Sequence, residues 1–295
     1  MPSNFLTNVK RALTSLNPAE IRATSERPVK ILILGRSDAS AAALEDFLLP
    51  AGVSLERREQ ALRSVMRAGD PPSRSPIDLL FYEYGLAVPE GWQDGRDAFA
   101  FDLSRPASFA RSVLEANDAF SLALARRFPP FRRAAVKRTI HTVSRENALF
   151  SILTALPNLI PNAFELPWAI GEFASDTAVL TANQIRMAFF LAAASDRVVG
   201  YREQRNEIGS IVAGAWGWRT LARELVGKIP FGGGVVPKAA IAYAGTYVVG
   251  LSLERFYRLG YGLSRAERKH AFEEAKEKGK EVARALLAHV KGAAD

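Results

Sequence analysis

The stretch over residues 29–49, VKILILGRSDASAAALEDFLL, limits the fold more than any other part of the chain. Its continuous apolar run predicts a strand buried on both faces, as in a parallel sheet. A glycine turn and a helix rich in alanine and leucine follow directly. Residues 76–86 and 97–103 predict two more strands, and residues 53–59 (VSLERRE) suggest another. Strands that alternate with helices favour a small α/β domain over residues 28–105.

A strand, a glycine turn and a helix are also the order in which a nucleotide-binding P-loop begins. A working P-loop reads GxxxxGK[ST], in which the lysine reaches the β- and γ-phosphates and the hydroxyl binds Mg²⁺. Counted from Gly35, Ser40 replaces the second glycine, Ala41 the lysine and Ala42 the magnesium ligand. Asp38 places a negative charge where phosphate would lie. The sequence therefore predicts a Rossmann-like, degenerate P-loop domain that does not turn over nucleotide.

Some phosphate binding could survive in this loop, and the candidate residues are Gly35, Arg36, Ser37 and Ser40. The helix N-terminus offers amides and a partial positive charge, and Arg36 could supply a cation. Glu83, near the end of a predicted strand, could approach a metal, but the loop lacks the hydroxyl that would complete the site, so a surface or capping carboxylate is favoured. No Asn-Lys-x-Asp guanine motif is present. A residual nucleotide-binding switch is therefore the alternative hypothesis, and we predict no catalytic residue, no metal and no cofactor.

From residue 106 onward the pattern is helical. Residues 106–145 predict a basic helical connector and residues 146–295 a bundle of apolar helices, so the fold class is α/β plus all-α. Residues 1–27 predict an amphipathic helix, over 3–17, and a lead-in. The chain has no cysteine, which excludes disulfides, thiolate zinc sites and cysteine nucleophiles. The first twenty residues show no secretory signal, so we predict a protein that is not secreted.

Positive charge is concentrated in one window of a chain whose formal net charge is +8. Between Asp118 and Glu146 there are seven basic residues and no acid. Six of them form a candidate patch for a membrane or partner: Arg126, Arg127, Arg132, Arg133, Lys137 and Arg138. The alternatives are a solvated helix face, an anionic membrane surface and nucleic acid. Nucleic acid is the weakest of these, because the aromatic residues between the arginines, Phe128 and Phe131, flank a Pro-Pro break and do not alternate with basic residues for base stacking, and no known reader motif is present.

Apolar runs follow this basic window. Residues 147–164 carry no charge but contain Pro157 and Pro161, and residues 239–253 are also uncharged. Neither run provides about 20 uninterrupted apolar residues, the length that spans a bilayer. An unusually apolar soluble bundle is one explanation. The combination of basic and apolar segments favours membrane association, so we expect the protein at the cytoplasmic face of the inner membrane, or in the cytoplasm.

Three polar residues interrupt the apolar helix around residues 181–187, TANQIRM: Asn183, Gln184 and Arg186. Polar groups inside a helical bundle need hydrogen-bond partners. The sequence therefore predicts that these three side chains form a structural polar network between helices.

The helical half also resembles a known family. The segments SDTAVLTANQIRMAFFLAAA and KIPFGGGVVPKAAIAYAGTYVVGLSLERF, within residues 145–285, resemble the YcjF-type bacterial domain of unknown function. That helical domain is often attached to Era-like GTPases and is commonly predicted to be membrane-associated. NPAEIRATSERPVKILILG is similar to the lead-in and first strand of the attached G domains. The resemblance implies descent from a protein that joins a GTPase domain to this helical domain. Together with the basic window and the apolar runs, it leads us to expect a non-catalytic, membrane-associated scaffold or interaction protein with a pseudo-GTPase domain.

Overall fold

The computed structural model describes residues 16–69, 76–156, 176–214 and 234–292. They belong to two compact units. An α/β unit comprises Ala19–Lys137 and Ala192–Val198, and a helical unit includes Arg138–Leu191 and the chain from Val199 onward. The first part of the chain forms α1 (Pro18–Glu26), β1 (Ile31–Leu34), α2 (Asp38–Leu48), α3 (Leu55–Leu62), β2 (Val65–Arg67), β3 (Leu79–Glu83), β4 (Ala98–Phe101), α4 (Pro106–Ala116), α5 (Asp118–Arg127) and α6 (Pro129–Leu153). The remaining elements are α7 (Asp176–Ala194), α8 (205–214), α9 (Val235–Leu259) and α10 (Arg265–Gly292).

The four strands form one parallel sheet in the order β2-β1-β3-β4. Ile31 and Ile33 of β1 and Phe81 of β3 are fully buried, as expected for central strands covered on both faces. Strand order reverses between β1 and β3, and ligands of open parallel sheets bind at the carboxyl ends of strands beside such a reversal. A small parallel sheet together with helices agrees with the predicted combination of an α/β domain and a helical part.

One predicted strand was wrong. Residues 53–59 do not form a strand, because Leu55–Leu62 is the helix α3. Leucine, glutamate, arginine, glutamine and alanine lose little side-chain freedom in a helix, and this segment contains nothing else. The strand that follows is Val65–Arg67, only three residues long and half-buried, so its pattern in the sequence is weak.

The first part of the predicted connector packs with the sheet. Phe109 of α4 and Phe131 of α6 both contact Phe81 of β3, with ring centroids 5.0 and 6.2 Å apart. Offset and edge-to-face aromatic contacts of this kind add to the hydrophobic burial. The α/β unit therefore extends to Lys137, beyond the predicted boundary at residue 105.

In the helical unit α9 packs lengthwise against α10. Small residues permit this close approach: Gly279 of α10 lies against Ala240 of α9. The side chains of Tyr243, Ala244 and Val248 on α9 are buried in the core. Most of the predicted helix 3–17, both prolines of the run 147–164 and most of the glycine turn before α9 lie outside the described residues.

Candidate functional site

The predicted phosphate loop is folded tightly on itself. Ser37 is the N-cap of α2, and its hydroxyl accepts a hydrogen bond from the Ser40 backbone amide at 3.3 Å. The Ser37 amide in turn donates to the Ser40 hydroxyl at 3.1 Å, which completes a capping box. Gly35 makes this turn possible, because a Cβ there would lie 2.5 Å from the Ser40 hydroxyl oxygen and 2.7 Å from the Ala41 amide nitrogen. The turn thus uses two of its own amide donors internally.

Glu83 binds to this loop from the end of the neighbouring strand β3. The Arg36 backbone amide donates to the Glu83 carboxylate at 2.9 Å, and the Arg36 guanidinium lies 3.9 Å from the other carboxylate oxygen. The same guanidinium donates to the Tyr84 carbonyl at 3.2 Å. The hydrogen bond from the Arg36 amide, followed by one from the Ser40 hydroxyl, lowers the pKa of Glu83. The carboxylate at the crevice between β1 and β3 is therefore one of the protein's own, that of Glu83.

The sequence offered two roles for Glu83, a metal ligand and the favoured surface or capping carboxylate, and the structure has it accepting a hydrogen bond from a loop amide. The structure brings together five residues, and their polar and charged groups bind to one another: Gly35, Arg36, Ser37, Ser40 and Glu83. Within the residues that the structure describes, no group of three or more histidine, aspartate or glutamate side chains could hold a metal ion. The useful signal for this arrangement was an acid at the end of β3, opposite an arginine that follows β1.

The six basic residues of the candidate patch do not form one surface. Three of them line a cavity of about 790 Å³ in the α/β unit: Arg126, Arg127 and Arg132. Arg133 and Lys137 are exposed and one turn apart on α6, whereas Arg138 is half-buried and belongs to the helical unit. The six charges therefore divide between a cavity and separate surfaces.

Asn183 and Gln184 of α7 join a buried network in the helical unit. The Asn183 amide donates to the Asn147 side-chain oxygen at 2.8 Å, and Asn147 donates to the Thr246 hydroxyl at 2.7 Å. Gln184 donates to the same hydroxyl at 3.3 Å. The network thus links α6, α7 and α9 through two residues, Asn147 and Thr246, that sequence reasoning did not identify.

Arg186 lies apart from that network and pairs with Glu146 of α6. Burial raises the pKa of Glu146, although the Arg186 charge and hydrogen bond oppose the shift. The Arg186 guanidinium also lies 6.0 Å from the Phe190 ring centroid. This partly buried ion pair is a second polar link between α6 and α7.

A groove of about 580 Å³ runs between α8, α9 and α10 of the helical unit. Its described lining includes the acidic Glu273 and five apolar side chains: Ile211, Val248, Val249, Leu253 and Phe272. Arg265, Arg268 and Lys269 of α10 also line the groove, and all three side chains are exposed. An apolar channel beside exposed cations has the chemistry to accept an apolar chain attached to an anionic group.

Two described helices are long and apolar enough to cross a membrane, by length and composition. Within the structure 78% of the α7 span is buried, as in the core helix of a soluble protein. Only 44% of α9 is buried. The core helix of a soluble protein and a membrane-spanning helix can both meet these criteria of length and composition, so the two helices are weak support for membrane contact.

Comparisons of the chain with protein-family models, with curated proteins and with solved structures find no match. The likeness to YcjF-type domains therefore stays a proposal. Function has to be inferred from the geometry of the described residues.

Proposed function

We propose that the chain is a non-catalytic, membrane-associated interaction protein whose α/β unit is a degenerate, pseudo-GTPase domain. The observation that carries the proposal is the Glu83 carboxylate on the Arg36 amide at the β1–β3 crevice. In an active P-loop, amides of this turn cradle a phosphate and a lysine neutralises it. Here the lysine is replaced by Ala41, and the position beside the turn holds a carboxylate of the protein itself.

The same contact argues against a residual nucleotide switch. A phosphate at this turn would have to displace Glu83 from the Arg36 amide. It would also approach Asp38 in the first turn of α2, and like charges at short range repel. Arg36, the one cation of the loop, already donates to Tyr84 on the other side of the crevice.

Calorimetry with GTP, GDP and ATP in the presence of Mg²⁺ tests this part of the proposal. We expect no binding heat at millimolar nucleotide. Saturable, magnesium-dependent binding at lower concentration would instead establish the residual switch. The same calorimetry on Glu83→Gln, with Glu90→Gln at an exposed position as the matched control, then shows whether the Glu83 carboxylate affects nucleotide binding at the crevice.

Membrane association is supported by the helical unit rather than by the basic window. Most α9 residues outside the core are half-buried rather than exposed, and the groove beside this helix combines apolar side chains with Arg265, Arg268 and Lys269. Proteins that bind a membrane surface bury apolar groups at the headgroup boundary and attract anionic lipids with basic residues. This surface offers both properties together.

Flotation with lipid vesicles tests the membrane proposal. We expect the protein to float with phosphatidylcholine vesicles that contain phosphatidylglycerol and to float poorly with phosphatidylcholine alone. Each basic residue near an anionic surface contributes about 1 kcal/mol, so the double variant Arg268→Glu/Lys269→Glu should bind at least roughly tenfold more weakly. The double variant Lys278→Glu/Arg284→Glu is the matched control, since it changes the same charge on α10 away from the groove. Failure of the unmodified protein to float with either vesicle would refute membrane association.

A further inference from the structure

A polar cavity of about 790 Å³ lies within the α/β unit, away from the β1–β3 crevice. Four parts of the chain line it: the end of α1, α3 with the residues before it, the junction of α5 and α6, and the segment after α7. They contribute four arginines to one space: Arg57, Arg126, Arg127 and Arg132. The only acidic residues in the described lining are Glu26 and Asp196. The cavity therefore carries two positive charges more than negative ones.

Asp196 is shared by three of these arginines. Its carboxylate lies 2.8 Å from a terminal nitrogen of Arg57, 3.7 Å from Nε of Arg126 and 3.9 Å from a terminal nitrogen of Arg132. Only the first of these distances is a hydrogen bond. Asp196 has a φ of 57°, and among the described residues no other non-glycine has a positive φ. The backbone of Asp196 is thus in a left-handed conformation. Its single carboxylate cannot alone neutralise the three arginines around it.

The second acid contributes little more. A Glu26 carboxylate oxygen lies 3.8 Å from Arg126, and the Glu26 side chain is 53% exposed. Arg126 donates one of its terminal amino groups to the Arg197 carbonyl at 2.9 Å, and Arg132 donates to the carbonyls of Ala125 and Arg126 at the end of α5. These carbonyl contacts fix the positions of the guanidinium groups without neutralising their charge.

Arg127 adds a half-buried guanidinium group to the lining. One terminal nitrogen of Arg127, Nη1, is buried with no hydrogen-bond partner among the described residues. Burial, and then the neighbouring Arg126 charge, lowers the pKa of Arg127. Burial also lowers the pKa of Arg132, where Arg57 and Arg126 add to the shift and Asp196 opposes it. Charge that is partly buried without full neutralisation is unfavourable in a folded protein, so an anion bound beside Arg127 and Arg132 would stabilise this unit.

The start of α3 faces the same cavity through Ser54 and Arg57. Ser54 is the N-cap of this helix, and its hydroxyl makes no capping hydrogen bond. The partial positive charge of a helix N-terminus adds to the attraction for an anion, and a serine hydroxyl can donate to one.

We propose that this cavity is a binding site for a dianionic phosphoryl group, carried by a phosphomonoester. Two negative charges match the excess of two positive charges in the lining. Guanidinium groups present pairs of N–H donors whose spacing suits phosphate oxygens, which makes arginine the preferred residue for phosphate recognition. The volume of the cavity leaves room for the group to which the phosphate is attached. The site does not depend on the crevice at Glu83 or on the groove in the helical unit.

A thermal-shift titration with inorganic phosphate, at constant ionic strength maintained with sodium chloride, tests the site. We expect phosphate to raise the Tm of the unmodified protein. The variants Arg57→Gln and Arg127→Gln each remove a charged donor to phosphate and should weaken apparent binding roughly tenfold or more. Arg133→Gln is the matched control, because Arg133 follows Arg132 in α6, is exposed and does not line the cavity. Its affinity should stay within twofold of that of the unmodified protein.

Two further results decide whether the phosphate site stands. Without phosphate, Arg127→Gln should melt no lower than the unmodified protein, because it removes a buried charge whose Nη1 has no partner. Should this variant fail to fold, Arg57→Gln, whose side chain is 57% exposed, still reports on phosphate binding. Absence of any phosphate-specific rise in Tm, or an equal loss of affinity in Arg133→Gln, would overturn the proposal.

The phosphoryl group could belong to a soluble metabolite or to a lipid headgroup, and two probes separate these sources. Glycerol 3-phosphate that raises the Tm, with the effect lost in Arg57→Gln, indicates a soluble ligand. Flotation with phosphatidic acid vesicles that is lost in Arg57→Gln, while flotation with phosphatidylglycerol is retained, indicates a headgroup. Either result supports the site. A response that Arg57→Gln does not alter in either assay contradicts it.

Discussion

Gly279 lies where α10 packs against α9, and its replacement by alanine is a sharp test of the helical unit. A Cβ at this position would lie 2.8 Å from the Ala240 carbonyl oxygen, 3.1 Å from the Ala240 Cα and 3.2 Å from a ring carbon of Tyr243. The first two of these atoms belong to the backbone of a long helix. Neither can move aside by a change of side-chain rotamer, so the helices would have to separate.

Two opposing effects determine the size of the change. Alanine is preferred to glycine inside a helix by about 1 kcal/mol, which would stabilise the variant. Overpacking a closely fitted core destabilises by about 1–3 kcal/mol, and contact with backbone atoms places this case near the upper end. We therefore expect Gly279→Ala to lower the free energy of unfolding by about 1–2 kcal/mol, and the Tm by roughly 2–8 °C.

Thermal and urea unfolding followed by far-UV circular dichroism measure this effect. Gly209→Ala is the control of opposite sign, because Gly209 is an exposed residue of α8 and a Cβ there would meet nothing within 4 Å. That control should gain the helix preference alone, roughly 0.5–1 kcal/mol. An increase in stability for Gly279→Ala equal to that of Gly209→Ala would refute the close packing of α9 on α10.

Two further substitutions test the polar groups of the helical unit. Thr246→Val removes the hydroxyl that accepts the Asn147 amide, and we expect a loss of about 1–3 kcal/mol in urea unfolding, whereas the exposed control Thr142→Val should change little. Glu146 has a pKa raised above 4.5 by burial despite Arg186, so the stability it contributes in acid is lost as the pH rises through that raised pKa. The stability of the unmodified protein relative to Glu146→Gln should therefore fall as the pH rises above the ordinary glutamate pKa of 4.5, and an increase there would contradict the direction of the shift.

The sequence was most informative where a pattern depends on neighbouring residues. The apolar run before Gly35 predicted a buried strand, and β1 is the centre of a parallel sheet. The absence of a lysine at residue 41, where a working P-loop would have one, could likewise be seen residue by residue. Such features need no knowledge of distant contacts, because local residue preferences and a fixed spacing determine them.

The features that sequence reasoning missed depend on contacts between distant segments. Thr246 gave no signal of its own, and its role follows from Asn147, 99 residues away. The basic window looked like one surface, but the side chains of a helix point in directions about 100° apart per residue, so Arg132 and Arg133 point to different surroundings. Asp196 joins the arginine cavity from a segment after α7 that no local pattern linked to α3.

The most direct test of the pseudo-GTPase proposal is a pH titration of the Arg36 backbone amide by nuclear magnetic resonance. This amide donates to Glu83 and should report the ionisation of that carboxyl group. We expect a transition with a midpoint below 4.5, because hydrogen bonds lower the pKa of Glu83, and no change in the resonance on addition of millimolar GTP and Mg²⁺. A midpoint at the ordinary glutamate value, or a shift of the Arg36 resonance that saturates with nucleotide, would contradict the claim that this carboxylate occupies the crevice.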